Sequence, residues 1–290
     1  MLNHCERILS STGWQHMESS FEGARGTQIY YQAWTPTGRP KATLVMIHGQ
    51  GDHCGRYAHV AEYMVRRNYS IWAQDLRGHG KSGGKRGHVD SFDDYLVDTD
   101  RLIRIGKEHD RSSTTILLGH SLGGLLATRF AEERGSELAG LIATAPLFAL
   151  KMKLPAWKKF IGRTLSSIIP TLTLRTGLDA NLLSHDRKIV RDYTGDPLVH
   201  GVASARFYTE FLRGADETVN GADQLTLPCL IMHGGADGIV DSSATVGFFK
   251  KIASSDKTLK VYDGFYHEIL NEPGKESVLG DISTWLSARI

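Results

Sequence analysis

Short apolar runs, each closing on a turn rich in Gly, Asp or Pro and separated from the next by a helical pattern, constrain this chain more than any other feature. They are Thr43-Leu-Val-Met-Ile47, Ser70-Ile-Trp-Ala-Gln74, Thr114-Thr-Ile-Leu-Leu118, Gly140-Leu-Ile-Ala-Thr-Ala145, Pro228-Cys-Leu-Ile-Met232 and Thr258-Leu-Lys-Val-Tyr262. They are apolar at nearly every position rather than at alternate ones, which a strand buried on both faces requires. Amphipathic stretches at 57–67, 92–107, 122–133, 244–252 and 278–287 lie between or after them. Strand and helix alternating in this way imply right-handed crossovers and an α/β fold with a mostly parallel, doubly wound sheet. The stretch 26–34 alternates polar and apolar residues instead, and reads as an antiparallel edge hairpin ahead of the parallel core.

One segment breaks the rhythm. Between residues 147 and 223 no strand is expected, only helical patterns and turns such as Leu154-Pro155, Ile169-Pro170 and Asp196-Pro197. An insertion of that length reads as a helical cap over the C-terminal edge of the sheet rather than a structureless loop. The expected organisation is therefore a core from 1–146 and 224–290, interrupted by a cap at 147–223.

At 290 residues the chain can bury roughly three quarters of its unfolded surface, so it needs no disulfide or metal as a staple. Thirty-four Lys and Arg against 32 Asp and Glu leave +2, which argues against a general nucleic-acid binder. Three cysteines, Cys5, Cys54 and Cys229, read as free thiols of a reducing compartment rather than a disulfide framework. Residues 1–12 lack the apolar core of a signal peptide, and no run approaches the roughly 18 apolar residues of a membrane span. A cytoplasmic protein, at most peripheral at membranes, is expected.

Gly119-His120-Ser121-Leu122-Gly123 fits G-x-S-x-G between an apolar strand and a helix-forming run. In such a turn the glycines relieve clashes and the serine hydroxyl stands above the sheet's end. A serine hydroxyl is a poor nucleophile until a base takes its proton and an acid orients that base. Asp237 follows one strand through a Gly-rich turn, and His267, one of 13 histidines, follows the last strand. Asp241 is the alternative acid, farther from the strand end and placed to start the next helix. Acyl transfer also needs two N–H donors for the developing oxyanion. Leu122, after the nucleophile, and Gln50, in His48-Gly49-Gln50-Gly51, are the candidates.

Taken together, the blocks His48-Gly-Gln-Gly-Asp-His-Cys-Gly-Arg-Tyr57, Asp75-Leu-Arg-Gly-His-Gly-Lys-Ser82, Gly119-His-Ser-Leu-Gly-Gly124, His233-Gly-Gly-Ala-Asp237 and His267-Glu268 resemble the monoacylglycerol lipase and lysophospholipase branch of the α/β-hydrolase superfamily. The resemblance spans roughly residues 25–290. It implies an eight-stranded, mostly parallel α/β-hydrolase sheet and a mobile cap over an acyl-chain tunnel. It also implies Ser121, Asp237 and His267 as the triad, with Gln50 and Leu122 as oxyanion donors. Gln50 stands where the family often has a smaller residue, which changes the room near the leaving group.

The implied activity is hydrolysis of lipid carboxylic esters, with monoacylglycerol ahead of lysophospholipid or a medium-chain ester, and with no cofactor, metal or nucleic-acid partner. A slow-turnover ligand sensor and a proline iminopeptidase are the competing readings. Ser121 excludes chemistry that needs an Asp nucleophile at this turn. The segment 150–163 carries five basic and no acidic residues around Leu150, Leu154, Trp157 and Ile161 at helical spacing. It can dock transiently on anionic lipid, or simply bury its stripe with lysines outside. Cys54, just after the oxyanion loop, is either a thiol open to reagents or a small buried hydrophobe. Cys229 reads as packing within a strand, and Asp75 and His79 as braces of the pocket.

Overall fold

The computed structural model describes residues 6–9, 13–112, 114–152 and 156–290, with 6–9 and 156–161 as backbone only. Its strands are β1 (Glu6–Leu9), β2 (Trp14–Glu22), β3 (Gln28–Pro36), β4 (Thr43–Ile47), β5 (Ser70–Gln74), β6 (Thr115–His120), β7 (Gly140–Thr144), β8 (Thr173–Arg175), β9 (Val202–Ser204), β10 (Cys229–Gly234) and β11 (Lys257–Tyr262). Its helices are α1 (Ala58–Val65), α2 (Asp93–Asp110), α3 (Leu122–Arg134), α4 (Ala156–Ile168), α5 (Arg187–Gly195), α6 (Ala205–Asn220), α7 (Ser242–Lys251) and α8 (Lys275–Ser287).

The main sheet runs β1-β2-β3-β5-β4-β6-β7-β10-β11. From β5 to β11 neighbouring strands are parallel, whereas β1, β2 and β3 pair antiparallel. Five of the six runs read as doubly buried strands are so for a visible reason; the sixth, β11, is the outer edge of the sheet, where no second neighbour covers it, and it is half-buried with Val261 exposed. Along β4, Leu44 and Met46 pack with α1 and α8 on one face, while Val45 and Ile47 pack with α2, α3, α6 and α7 on the other. The chain passes from β4 to β5 on one side and then to β6 on the other. This reversal leaves a crevice at the strands' C-terminal ends, between the loops after β4 and β6.

Two expectations are corrected. The stretch 26–34 is not at an edge: β3 lies between β2 and β5, and a ninth strand, β1, extends the expected eight beyond β2. In β2 only Met17 is fully buried, so its sequence lacks the apolar signal of the parallel strands. The 147–223 segment, expected to hold no strand, contains the ribbon β8–β9, paired from Thr173↔Ser204 to Arg175↔Val202. Three residues a side are too few to show a period of two.

The segment is bonded to the core at several places. Lys151 N donates to Ile239 O at 2.9 Å, and Glu268 N donates to Leu183 O at 2.8 Å. His200 N donates to Gly51 O at 2.9 Å, and Ser204 N to Gly87 O at 2.7 Å. Ser204 also caps α6, its hydroxyl accepting from Phe207 N at 3.0 Å. That helix buries Phe207, Phe211 and Ala215 in the same cluster as Phe92 and Phe130.

Candidate active site

Ser121 sits between β6 and α3 with φ 55 and ψ −117, a conformation that a side-chain-bearing residue adopts only under constraint. The constraint is packing. A Cβ on Gly119 would lie 2.1 Å from Gly123 O, and one on Gly123 would lie 2.1 Å from Ile47 O. The turn therefore presses against the end of β4 in a way only glycine permits. Ser121 N donates to Thr144 O at 2.9 Å, and its own carbonyl accepts from Leu125 N and Leu147 N, each at 3.0 Å. The hydroxyl is left above the first turn of α3, whose N-terminus favours negative charge.

The three side chains named from the sequence meet in one buried row. His267 Nε2 lies 3.0 Å from Ser121 Oγ, and His267 Nδ1 donates to Asp237 Oδ2 at 2.8 Å. Asp237 Oδ1 accepts from the amides of Ile239 and Val240 at 2.8 and 2.9 Å. Burial opposes ionisation of Asp237. The adjacent His267, the N–H groups of His233 and His267 and the Val240 amide outweigh it and hold the carboxyl well below the usual carboxylate range. Asp241, the alternative acid, is instead the N-cap of α7, accepting from Ser243 N at 3.0 Å.

Gly49 lies against the serine, since a Cβ placed on it would be 3.1 Å from Ser121 Cβ. This brings the 48–51 turn, with Gln50, beside the elbow that carries Leu122. His48 fixes that turn by donating from Nδ1 to Gly49 O at 2.7 Å and accepting from Leu76 N at 2.9 Å. Burial lowers the pKa of His48, as this neutral pattern needs. The Gln50 carboxamide bridges outward: Nε2 donates to Val202 O of β9 at 3.1 Å, and Oε1 meets His79 Nε2 at 3.1 Å. Asp75 accepts from Cys54 N and Lys81 N, both at 2.7 Å. Asp75 and His79 thus hold the loops together, as their positions suggested.

Several contributors lay outside the sequence reading. His233 donates to Asp237 Oδ2 at 3.0 Å from the end of β10. Arg56 forms a two-pronged pair with Glu268 at 2.8 and 2.7 Å, reaches Asp52 at 3.1 Å, and so ties the loop after β4 to the loop bearing His267. A polar residue closing an otherwise apolar strand was the available signal for His233. The Arg56–Glu268 pair spans 212 positions and left none. His120, its ring 4.9 Å from that of His267, is pushed down to about 3 by burial and then by His267. Cys54 and Cys229 are buried free thiols, whereas Cys5 lies outside the described residues. Burial, and after it Asp75, raises the Cys54 pKa well above the ordinary thiol value, against ready attack by reagents. Among the described residues no group of three or more His, Cys, Asp or Glu could hold a metal ion.

A serine hydroxyl bonded to an imidazole, itself bonded to a carboxylate, can pass its proton to the ring as it attacks an acyl carbon. Row and sheet together define a serine hydrolase on the α/β-hydrolase fold. Residues 38–274 match the family described as "Serine aminopeptidase, S33", and the chain belongs to it. The chain is 31% identical over 284 residues to a monoacylglycerol lipase of Mycolicibacterium smegmatis, covering 98% of this chain and 100% of that one. It is 31% identical to the phospholipase YtpA of Bacillus subtilis, over 84% of this chain and 95% of the other. The crystal structure of a monoacylglycerol lipase from Paleococcus ferrophilus superposes with a TM-score of 0.81 at 32% identity, over 90% of this chain and 99% of that one.

Proposed function

We propose that the protein hydrolyses lipid carboxylic esters, foremost monoacylglycerol to glycerol and fatty acid, through an acyl-enzyme on Ser121. The Ser121–His267–Asp237 row carries the reading. As Ser121 Oγ attacks the ester carbonyl, His267 Nε2 takes its proton, and Asp237 stabilises the imidazolium that forms. The N–H groups of Leu122 and Gln50 receive the oxyanion, each such donor lowering the barrier by on the order of 3 kcal/mol. His267 then protonates the departing alcohol, and later takes a proton from the water that releases the fatty acid. The monoacylglycerol lipase relatives support the head group.

In this reading the 147–223 segment is a cap over an acyl tunnel, and its outer face meets lipid. Met152, Ile168, Ile169, Leu174 and Leu178 are exposed there, with Lys151, Arg163 and Arg175 between them. Much of the basic stripe expected at 150–163 lies outside the described residues. Among the described residues no helix is long and apolar enough to cross a membrane, so contact would be peripheral. Co-sedimentation with anionic and neutral vesicles tests it: binding insensitive to lysine replacement and to lipid charge removes the basic face from the account.

Glycerol and fatty-acid release from a monoacylglycerol chain-length series, wild type against Ser121→Ala, tests the main reading. Ser121-dependent turnover with a chain-length optimum is expected, and a wild type no faster than Ser121→Ala refutes it. The phospholipase relative favours lysophospholipid as the second substrate. Faster release from lysophospholipid than from monoacylglycerol would reverse the order of the two.

A further inference from the structure

The hydrogen-bonded row does not end at Asp237. Its Oδ2 accepts twice, from His267 Nδ1 at 2.8 Å and from His233 Nε2 at 3.0 Å. Its Oδ1 is taken by the two amides after it. A carboxylate only accepts, so His233 carries a proton on Nε2, and the ring turns Nδ1 to the Thr245 hydroxyl, 3.0 Å away in the first turn of α7. Thr245 and His233 are wholly buried, and Asp237, His267 and Ser121 nearly so. One interior chain thus runs Thr245, His233, Asp237, His267, Ser121.

We propose that His233, its ring anchored at Nδ1 by the Thr245 hydroxyl, is a positioning residue that fixes the Asp237 carboxylate and tempers its pull on His267. The inference rests on the serine hydrolase reading of the row. Two amides on Oδ1 define one oxygen, and the third donor on Oδ2 sets the plane of the group so that the remaining lone pair meets His267. The other His233 tautomer would turn a lone pair toward the carboxylate, which disfavours it, while the Thr245 hydroxyl, able to donate or accept, anchors the far side of the ring. Sharing Oδ2 between two N–H donors also divides its negative charge. Without His233, Asp237 stabilises the His267 imidazolium more strongly, and the ring gives up its proton at higher pH. The charged and titratable groups facing His267 are Asp237 and His233 after and on β10, His120 on β6, and Glu268 on its own loop, the last paired with Arg56. Those facing His233 are Asp237 and the Thr245 hydroxyl.

The test is the pH profile of kcat/KM on a p-nitrophenyl ester for wild type, His233→Leu, His233→Gln and Thr245→Val, with Ser121→Ala as blank. His233→Leu keeps the bulk and removes the donor. Its acid limb should move up by about half to one pH unit, with the plateau down about 10-fold and KM little changed. Gln carries an Nε2 donor the same number of bonds from the backbone, and should return the limb to the wild-type position. Thr245→Val should move it in the same direction by less. A folded His233→Leu whose limb superimposes on wild type overturns the proposal, as does a His233→Gln that behaves like His233→Leu. If His233→Leu does not fold, an unmoved Thr245→Val profile overturns it. A wild type no faster than Ser121→Ala overturns the hydrolase reading itself, whereas Ser121-dependent turnover with unmoved limbs overturns only the role of His233.

Discussion

Glu132 is buried on α3 in a way that stability measurements at different pH can read. Its side chain is wholly inside, and among the described residues neither carboxyl oxygen has a hydrogen-bond partner. The nearest cation, Arg129, stands off at 3.7 Å. Burial, opposed by Arg129 but aided by Glu133 and Asp223, raises the carboxyl from 4.5 to about 8. The folded protein therefore keeps a proton through a range in which the unfolded chain has lost it, so stability is full at low pH and declines as pH rises through that range. The whole shift corresponds to about 5 kcal/mol, of which about 4 kcal/mol falls between about pH 5 and pH 9. Glu132→Gln has nearly the same shape and nothing to ionise. Urea unfolding followed by tryptophan fluorescence at intervals across this range should show wild type losing about 4 kcal/mol relative to Glu132→Gln. Parallel curves for the two proteins would mean that Glu132 is already charged in the fold, and would refute the reasoning.

Three further outcomes are expected. Gly51→Ala places a Cβ 2.2 Å from His200 O at a residue with φ +76; it should destabilise by about 1–3 kcal/mol and lower kcat through the neighbouring Gln50, and an unchanged Tm would contradict this. Arg56→Met leaves Asp52 and Glu268 buried without their cation and should destabilise by about 3–5 kcal/mol, a loss in urea titration below about 1 kcal/mol being the opposing result. Iodoacetamide should leave the activity of the native protein intact because the Cys54 thiol is buried and its pKa raised; inactivation that tracks carboxymethyl-Cys54 by mass spectrometry would reverse that conclusion.

The inner parallel strands were readable because burial on both faces writes itself locally: Leu44, Val45, Met46 and Ile47 are apolar in succession since each meets a helix layer. The elbow was readable for a similar reason, as Gly119 and Gly123 record contacts that forbid a side chain. The half-exposed strand β2 and the ribbon β8–β9 left no such mark, the one being covered on neither face throughout and the other only three residues a side. The sequence by itself determined the class of sheet, the order in which Ser121, Asp237 and His267 appear, and the loops that carry them. Only the tertiary structure decided that Asp237 rather than Asp241 meets His267, that Gln50 turns outward to β9, and that His233 shares the Asp237 oxygen. These are directional contacts of a few ångströms between residues up to 152 positions apart. Their geometry follows from strand register and the crossing at β4, which side-chain type alone does not encode.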